Sequence, residues 1–175
     1  MGLLNRFYPD AYFESAYAIE YKKLYDEGYR GIIFDIDNTL VPHGAPSDDR
    51  SRKLLKELMG MGYGVTLLSN NKPKRVDMFN EPIGALCVYK AGKPSRKGYR
   101  KAMEKMGTNE SNTFFVGDQL FTDVWGAKRT GIKSFLVKQI DKKEEIQIVI
   151  KRFFEKIVLR SYERAVGKQT LEDHT

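Results

Sequence analysis

The sequence predicts an α/β protein with a Rossmann-like fold, in which helices cover both faces of a mainly parallel, five-stranded sheet. Five short apolar runs, rich in Ile, Val, Leu and Phe, are typical of strands buried on both faces. These runs cover residues 31–34, 65–68, 85–89, 113–116 and 132–137. Four amphipathic stretches alternate with them, at about 47–61, 72–80, 95–106 and 120–130. Regular alternation of strand and helix indicates a parallel sheet with helical crossovers.

Local signals mark the ends of the predicted helices. Ser47 and Ser95 are suitable N-caps, because a serine hydroxyl can accept a hydrogen bond from a free N–H of the first turn. Gly62, Gly107 and Gly131 stand where three helices should end. These signals agree with the boundaries that the apolar pattern predicts.

Two segments flank this predicted core of residues 31–137. An aromatic residue at every fourth position from Phe13 to Tyr29 predicts an N-terminal helix over 10–28. Apolar and basic residues interleave over 142–166 and predict a long C-terminal helix. That helix either packs on the domain or lies on a membrane surface.

Length and composition exclude several classes of protein. With 175 residues, of which 41% are hydrophobic and 30% charged, the chain is predicted to form a single domain over residues 1–175. No stretch approaches the ~18 to 20 apolar residues that a membrane-spanning helix needs. Cys87 is the single cysteine, which excludes an internal disulfide and favours a reducing compartment, the cytosol.

The formal net charge of +7 is concentrated in two segments. Residues 90–105 carry seven bases and one acid, and residues 138–168 carry nine bases and five acids. This local excess predicts an anionic partner or substrate near the two segments, although two solvated helix faces would give the same pattern.

Carboxylates follow two of the predicted strands. Asp35 and Asp37 come directly after the first apolar run, and on an extended chain they project to the same side. Asp118 and Asp123 follow the fourth run. Neighbouring carboxylates repel each other unless they share a cation or a proton. Since ligands of parallel sheets gather at the carboxyl ends of the strands, this placement predicts a cation site.

Groups suited to a phosphate follow the second and third predicted strands. Ser69 and Asn70 can donate to a phosphate oxygen, although a helix cap would use the same residue types. Lys93 follows the third run, where Gly92 and Pro94 restrict the backbone and the ammonium can reach inward as a point charge. Together with the acids, these groups predict a site for a phosphoryl group and a hard divalent cation. Ligands restricted to oxygen favour Mg²⁺.

The order of these motifs resembles the haloacid-dehalogenase-like (HAD) superfamily of phosphatases. The pattern is Asp-x-Asp-x-Thr from Asp35 to Thr39, then Ser69, Lys93, and Gly-Asp-x-x-x-x-Asp ending at Asp123. The surrounding residues look like subfamily IIIA, and most like its YqeG-like branch, which is related to mitochondrial phosphatidylglycerophosphate phosphatase. The resemblance covers the whole predicted core and implies the HAD fold.

The resemblance also implies a two-step phosphoryl transfer. Asp35 would be the nucleophile that forms an aspartyl-phosphate. Asp37 would protonate the leaving alcohol and then accept a proton from the attacking water. Ser69 and Lys93 would hold the transferring phosphoryl group, while Thr39 would steady the loop. Mg²⁺ would be held by Asp35, the backbone carbonyl of Asp37 and Asp118, with Asp123 as a further ligand or close by.

In this superfamily, cap domains inserted after the first or second motif give specificity. Asp37 and Ser69 are 32 positions apart, and Ser69 and Lys93 are 24 apart, so each interval holds one helix and one strand. We therefore expect no cap domain. An open site suits a bulky or surface-bound phosphomonoester, or borrows a neighbouring subunit as its lid.

The leading functional hypothesis is a Mg²⁺-dependent phosphatidylglycerophosphate phosphatase of phospholipid synthesis. It would be cytoplasmic and in peripheral contact with the inner membrane face, where basic residues attract anionic lipid. The alternatives are a soluble phosphatase of a nucleotide, sugar phosphate or phosphoprotein, and a nucleic-acid or ribonucleoprotein binding module. No recognised nucleic-acid motif is present, so we expect no nucleic-acid partner. His43 either contacts substrate or is solvated; an oligomer is compatible with the sequence.

Overall fold

The computed structural model describes residues 7–141, which form a parallel sheet and its covering helices. The strands are β1 (Ala11–Phe13), β2 (Gly31–Phe34), β3 (Gly64–Leu68), β4 (Leu86–Val88), β5 (Thr113–Gly117) and β6 (Lys133–Val137). The α-helices are α1 (Tyr21–Asp26), α2 (Asp49–Met61), α3 (Pro73–Asn80), α4 (Arg96–Met106) and α5 (Trp125–Thr130). A 3₁₀ turn covers Ala16–Ala18, and a π-helical turn covers Leu120–Val124.

The strands form one sheet in the order β1-β6-β5-β2-β3-β4, and every pair is parallel. Strand β2 lies between β3 and β5, with Gly31 opposite Gly64 on one side and Thr113 on the other. The predicted parallel sheet is confirmed, but it has six strands instead of five. The additional strand is β1, which pairs with β6 at one edge.

The prediction of a helix over residues 10–28 is wrong. This segment contains β1, the 3₁₀ turn and the short helix α1. The Asp10 carboxylate accepts hydrogen bonds from the backbone N–H of Ser134 at 2.8 Å and from its hydroxyl at 2.9 Å, which fixes the start of β1 against β6. Aromatic residues of β1 and α1 pack on the core; Phe13 contacts Phe135, and Tyr21 stacks on Phe114. Their spacing therefore reflects packing on the core, which overrides helical periodicity.

Helices cover both faces of the sheet, as predicted. Alternate residues of β2 point to opposite faces. Phe34 belongs to the cluster that α1, α2 and α3 cover, and Ile33 belongs to the cluster beneath α4 and α5. Both side chains are fully buried, and burial of a side chain of this size contributes roughly 1.5–3 kcal/mol. Two apolar layers thus hold the central strand, and its carboxyl end, in place.

The helix ends follow the predicted signals with one correction. Asp48, and not Ser47, is the N-cap of α2, because its carboxylate accepts from the Ser51 backbone N–H at 2.7 Å in a capping box. Ser95 caps α4 as predicted. The three glycines expected at helix ends have left-handed backbone conformations, with φ of 105° at Gly62, 66° at Gly107 and 89° at Gly131.

No cap domain covers the carboxyl edge of the sheet within residues 7–141. The connection from β2 to α2 contains one isolated bridge, between Asp37 and Val41, and the connection from β3 to α3 is short. Among residues 7–141, none of the helices combines the length and the apolar character that a bilayer-spanning segment needs. The helix predicted over 142–166 lies outside the described residues, and a single domain over 1–175 stays a prediction.

Candidate active site

Polar residues from four different strand ends meet at one edge of the sheet. Asp35 follows β2, Ser69 follows β3, Lys93 lies beyond β4, and Asp118 follows β5. Since all the strands are parallel, their carboxyl ends share this edge. Each of the four residues is at most 9% exposed, so the cluster is buried from solvent.

Lys93 joins two of the buried acids. Its Nζ donates to Asp35 Oδ1 at 2.6 Å and to Asp123 Oδ1 at 2.7 Å. Burial alone would disfavour the ammonium, but the negative charges of Asp123 and Asp35 outweigh it, and the pKa of Lys93 is raised. Lys93 therefore stays protonated between the carboxylates.

Asp35, Asp118 and Asp123 form a group that fits a divalent cation. One carboxylate oxygen from each lies within 4.8 Å of the others. Burial, with the nearby charges of Asp123 and Asp118, raises the pKa of Asp35 to about 8 against the effect of Lys93. Burial and Asp123 raise the pKa of Asp118 to about 6. Three buried acids against one ammonium leave an excess of negative charge, which a cation bound by carboxylate oxygens would neutralise.

Further hydrogen bonds fix the orientation of these acids. Thr39 Oγ1 donates to Asp118 Oδ1 at 3.2 Å, and Gln139 Nε2 donates to Asp118 Oδ2 at 2.9 Å. Gly117 lies so close to Asp123 that a Cβ at this position would be 2.5 Å from Asp123 Oδ2. The site therefore needs glycine there, and partners of this kind keep metal-binding carboxylates in a fixed geometry.

Asp37 faces a different set of partners. Its Oδ1 accepts from the Gly44 backbone N–H and from Arg75 Nη2, each at 2.7 Å, and its Oδ2 accepts from Asn71 Nδ2 at 2.7 Å. His43 Nδ1 lies 4.0 Å from Oδ1, and the His43 side chain is 52% exposed. The Asp37 side chain is not part of the three-carboxylate group described above. Binding of a metal by its backbone carbonyl stays a prediction.

Ser69 and Asn70 have protein partners at this edge. Asn70 Oδ1 accepts from the Lys93 backbone N–H at 2.7 Å, and Asn70 Nδ2 donates to the Lys93 carbonyl at 3.3 Å. Asn70 therefore holds the backbone of Lys93 in position. Ser69 Oγ accepts from the Asn71 backbone N–H at 3.1 Å. Phosphate binding by either residue stays a prediction.

Two residues that support the site, Arg75 and Tyr99, have no sequence motif that would indicate their roles. Arg75 lies in the first turn of α3, where a charged residue would ordinarily be assigned to a solvated helix face, so no sequence signal singled it out. Tyr99 is fully buried on α4, and its hydroxyl donates to the carbonyls of Thr122 at 3.0 Å and Asp123 at 3.1 Å. Its position on the apolar face of α4 was a sufficient signal for burial, but not for this contact.

Three curated relatives are similar to this chain. Probable phosphatase YqeG of Bacillus subtilis is 34% identical over 164 residues, which is 93% of this chain and 95% of that protein. Glyceraldehyde 3-phosphate phosphatase of Pyrococcus abyssi is 27% identical over 50% of this chain and 41% of its own length. Phosphatidylglycerophosphate phosphatase 1, chloroplastic/mitochondrial, of Arabidopsis thaliana is 26% identical over 75% of this chain and 40% of its own length.

Structural and family comparisons agree with these relatives. The cobalt-bound deoxy-D-mannose-octulosonate 8-phosphate phosphatase YrbI of Haemophilus influenzae shares the fold, with a TM-score of 0.52 at 18% identity over 67% of this chain and 81% of that chain. Residues 90–149 match the family model described as HAD-hydrolase-like. Because the identity to YqeG extends over nearly the full length of both chains, this protein belongs to the HAD-like hydrolases, in the branch that contains the phosphatase YqeG.

Proposed function

We propose that this HAD phosphatase uses Mg²⁺ and an aspartyl-phosphate on Asp35 to hydrolyse phosphatidylglycerophosphate at the cytoplasmic face of a membrane. The observation that carries the reaction type is the double contact of Lys93, which bonds to Asp35 and Asp123 inside a buried group of acids. A protonated lysine beside a nucleophilic carboxylate stabilises the negative charge of a phosphoryl group. Among residues 7–141, Lys93 is the only lysine whose ammonium forms salt bridges with two carboxylates.

Each residue has a defined part in the proposed reaction. Asp35 attacks phosphorus, and Asp37 gives its proton to the leaving alcohol. In the second step water attacks the aspartyl-phosphate and Asp37 takes a proton from it, so that Asp37 is protonated again for the next turnover. Lys93 and Ser69 hold the phosphoryl oxygens.

The cation would be held by Asp35, Asp118, Asp123 and the backbone carbonyl of Asp37. When bound, Mg²⁺ supplies positive charge that offsets the repulsion between the phosphate and the carboxylates. The excess of buried acids over Lys93 supports this part of the proposal, because such a cluster is costly without a counter-charge.

Features of the surface support a lipid substrate. Beyond the carboxyl ends of β4, β5 and β6, the apolar residues Tyr89, Leu120 and Ile140 are 45%, 37% and 43% exposed. The exposed bases Lys90 and Lys97 belong to the same edge. Apolar and basic groups on the surface around the site suit an anionic bilayer. The similarity to phosphatidylglycerophosphate phosphatase 1 supports the same substrate.

Phosphate release from liposomes tests the proposal. The full chain with Mg²⁺ is expected to release phosphate from phosphatidylglycerophosphate in anionic liposomes, and Asp35→Asn is expected to release none. The exposed acid Asp49 provides the matched control, Asp49→Asn, which should retain activity. No release from the lipid, together with active hydrolysis of p-nitrophenyl phosphate, would reject the lipid substrate and keep the phosphatase.

A soluble sugar phosphate is the second candidate substrate, because part of the chain is similar to glyceraldehyde 3-phosphate phosphatase. A panel that contains the lipid, sugar phosphates, nucleotides and a phosphoprotein separates the candidates by kcat/KM. Failure to hydrolyse any member of the panel, with and without Mg²⁺, would instead favour a binding module.

A further inference from the structure

Arg75 carries a guanidinium that is only partly hydrogen-bonded beside the proposed acid. Its side chain is 15% exposed, and Nη2 donates to Asp37 Oδ1 at 2.7 Å. Nε and Nη1 are both buried and have no hydrogen-bond partner among the described residues. Because buried donors of a charged group are costly to leave unpaired, such atoms in folded proteins call for a partner such as a bound ion, a water or a ligand.

The position of Arg75 indicates which part of a substrate it would meet. In an in-line displacement, the attacking and leaving oxygens lie on opposite sides of phosphorus. Lys93 bonds to Asp35, the proposed nucleophile, whereas Arg75 bonds to Asp37, the proposed acid that must reach the leaving oxygen. Arg75 therefore lies on the side of the leaving alcohol, whereas Lys93 lies on the side of the nucleophile, where it would bind the phosphoryl group.

We infer that Arg75 binds a second anionic group, carried by the alcohol part of the substrate. A guanidinium is always charged, and its planar fork of donors matches the oxygens of a carboxylate or a phosphodiester. Arg75 would thus select phosphomonoesters whose alcohol bears such a group. This inference rests on the proposed function and deepens it: phosphatidylglycerophosphate carries a phosphodiester in its alcohol part, and glyceraldehyde 3-phosphate has no second anion.

Three soluble substrates test this selection. Glycerol 3-phosphate has no second anion, 3-phosphoglycerate has a carboxylate, and the deacylated lipid headgroup, glycerophosphoglycerol phosphate, has a phosphodiester. The wild-type chain with Mg²⁺ is expected to show a kcat/KM at least about tenfold higher for the second and third substrates, since an unpaired buried donor discriminates at least this strongly. A preference for the phosphodiester substrate alone would identify the lipid headgroup as the source of the second anionic group. An equal preference for 3-phosphoglycerate would show that soluble phosphorylated acids are also accepted.

Substitutions at two residues of α3 test whether the substrate preference comes from Arg75. Arg75→Gln is expected to reduce the ratio of kcat/KM values between substrates with and without a second anion to about one, mainly by raising KM for the substrates with two anions. Arg75→Lys should restore part of this preference. Lys74 is the exposed neighbour on the same helix, so Lys74→Gln removes one positive charge and should leave the preference unchanged. An equal loss on all three substrates in Arg75→Gln would show that Arg75 only positions Asp37, and the inference would be wrong.

Binding measurements separate this inference from the proposed function. In the Asp35→Asn protein, calorimetry with Mg²⁺ should show tighter binding of 3-phosphoglycerate than of glycerol 3-phosphate, and the added change Arg75→Gln should remove the difference. That binding result would support the Arg75 site whether or not the wild-type chain is active. Absence of turnover of every substrate by the wild-type chain would overturn the phosphatase proposal alone. Equal binding of the two ligands would overturn the Arg75 site alone.

Discussion

Lowering the pH from 8 to 6 is expected to weaken Mg²⁺ binding by about two orders of magnitude. Without a cation, burial raises the pKa of Asp35 to about 8 and that of Asp118 to about 6. Protons then occupy oxygens that the cation needs. Between these two pH values, competition from the protons grows roughly 100-fold, which corresponds to ~2.8 kcal/mol at ~1.4 kcal/mol per factor of ten.

The same pKa values give the sign of the effect on stability. In the unfolded chain both acids ionise near their ordinary value of 3.8, whereas in the folded, metal-free protein they keep their protons to higher pH. The folded state binds more protons in this range, so the metal-free protein loses stability as the pH rises from about 4 through 8. Bound Mg²⁺ offsets this loss, and it should raise Tm more at pH 8 than at pH 6.

Isothermal titration calorimetry at pH 6, 7 and 8, in two buffers with different ionisation heats, measures the affinity for Mg²⁺ and the number of protons released on binding. About one proton should be released for each Mg²⁺ bound at pH 7. Asp35→Asn should remove the pH dependence between 7 and 8, because an amide does not titrate, and Asp49→Asn should keep it. Equal affinity at all three pH values, or no release of protons, would refute this account of the carboxylate group.

Three further changes test other parts of the structure. Asp35→Asn should reduce hydrolysis of p-nitrophenyl phosphate to a few per cent of wild type or less, because an amide is a poor nucleophile; higher activity would show that another group attacks phosphorus. Gly117→Ala places a methyl carbon 2.5 Å from a carboxylate of the cation site, so thermal unfolding should show a loss of about 1–3 kcal/mol. Gly60→Ala, with nothing within 4 Å, is the matched control and should gain roughly 0.5–1 kcal/mol; equal shifts would contradict the clash. Burial opposes a low pKa for Asp10, but hydrogen bonds from Ser134 outweigh it and lower the pKa. Asp10→Asn should therefore reduce stability at neutral pH, and the difference from wild type should vanish as the pH falls below about 3.8; a difference that persisted in acid would not come from this carboxylate.

The N-terminal segment shows where local patterns fail. A residue spacing of four predicts a helix, yet Phe13 and Tyr21 reach the same core from a strand and a helix. Only the pairing of β1 with β6, and the hydrogen bonds from Ser134 to Asp10, decide that the chain is extended there. Such contacts join residues more than a hundred positions apart, and no local window contains them.

The residues of the candidate site also differ in whether the sequence alone could indicate them. Asp35, Lys93 and Asp118 could be proposed from the sequence, because acids and a lysine placed after buried strands must share one edge of a parallel sheet. Arg75 could not, since its contact with Asp37 depends on how the first turn of α3 packs against the loop after β2.

Short-range patterns of apolar residues and motifs are enough to predict the alternation of strands and helices, the parallel sheet and the family. The sixth strand, the raised pKa values of the buried acids and the partners of Asp37 follow only from the packed structure. These depend on burial and on distances between side chains, which exist only after the layers have packed.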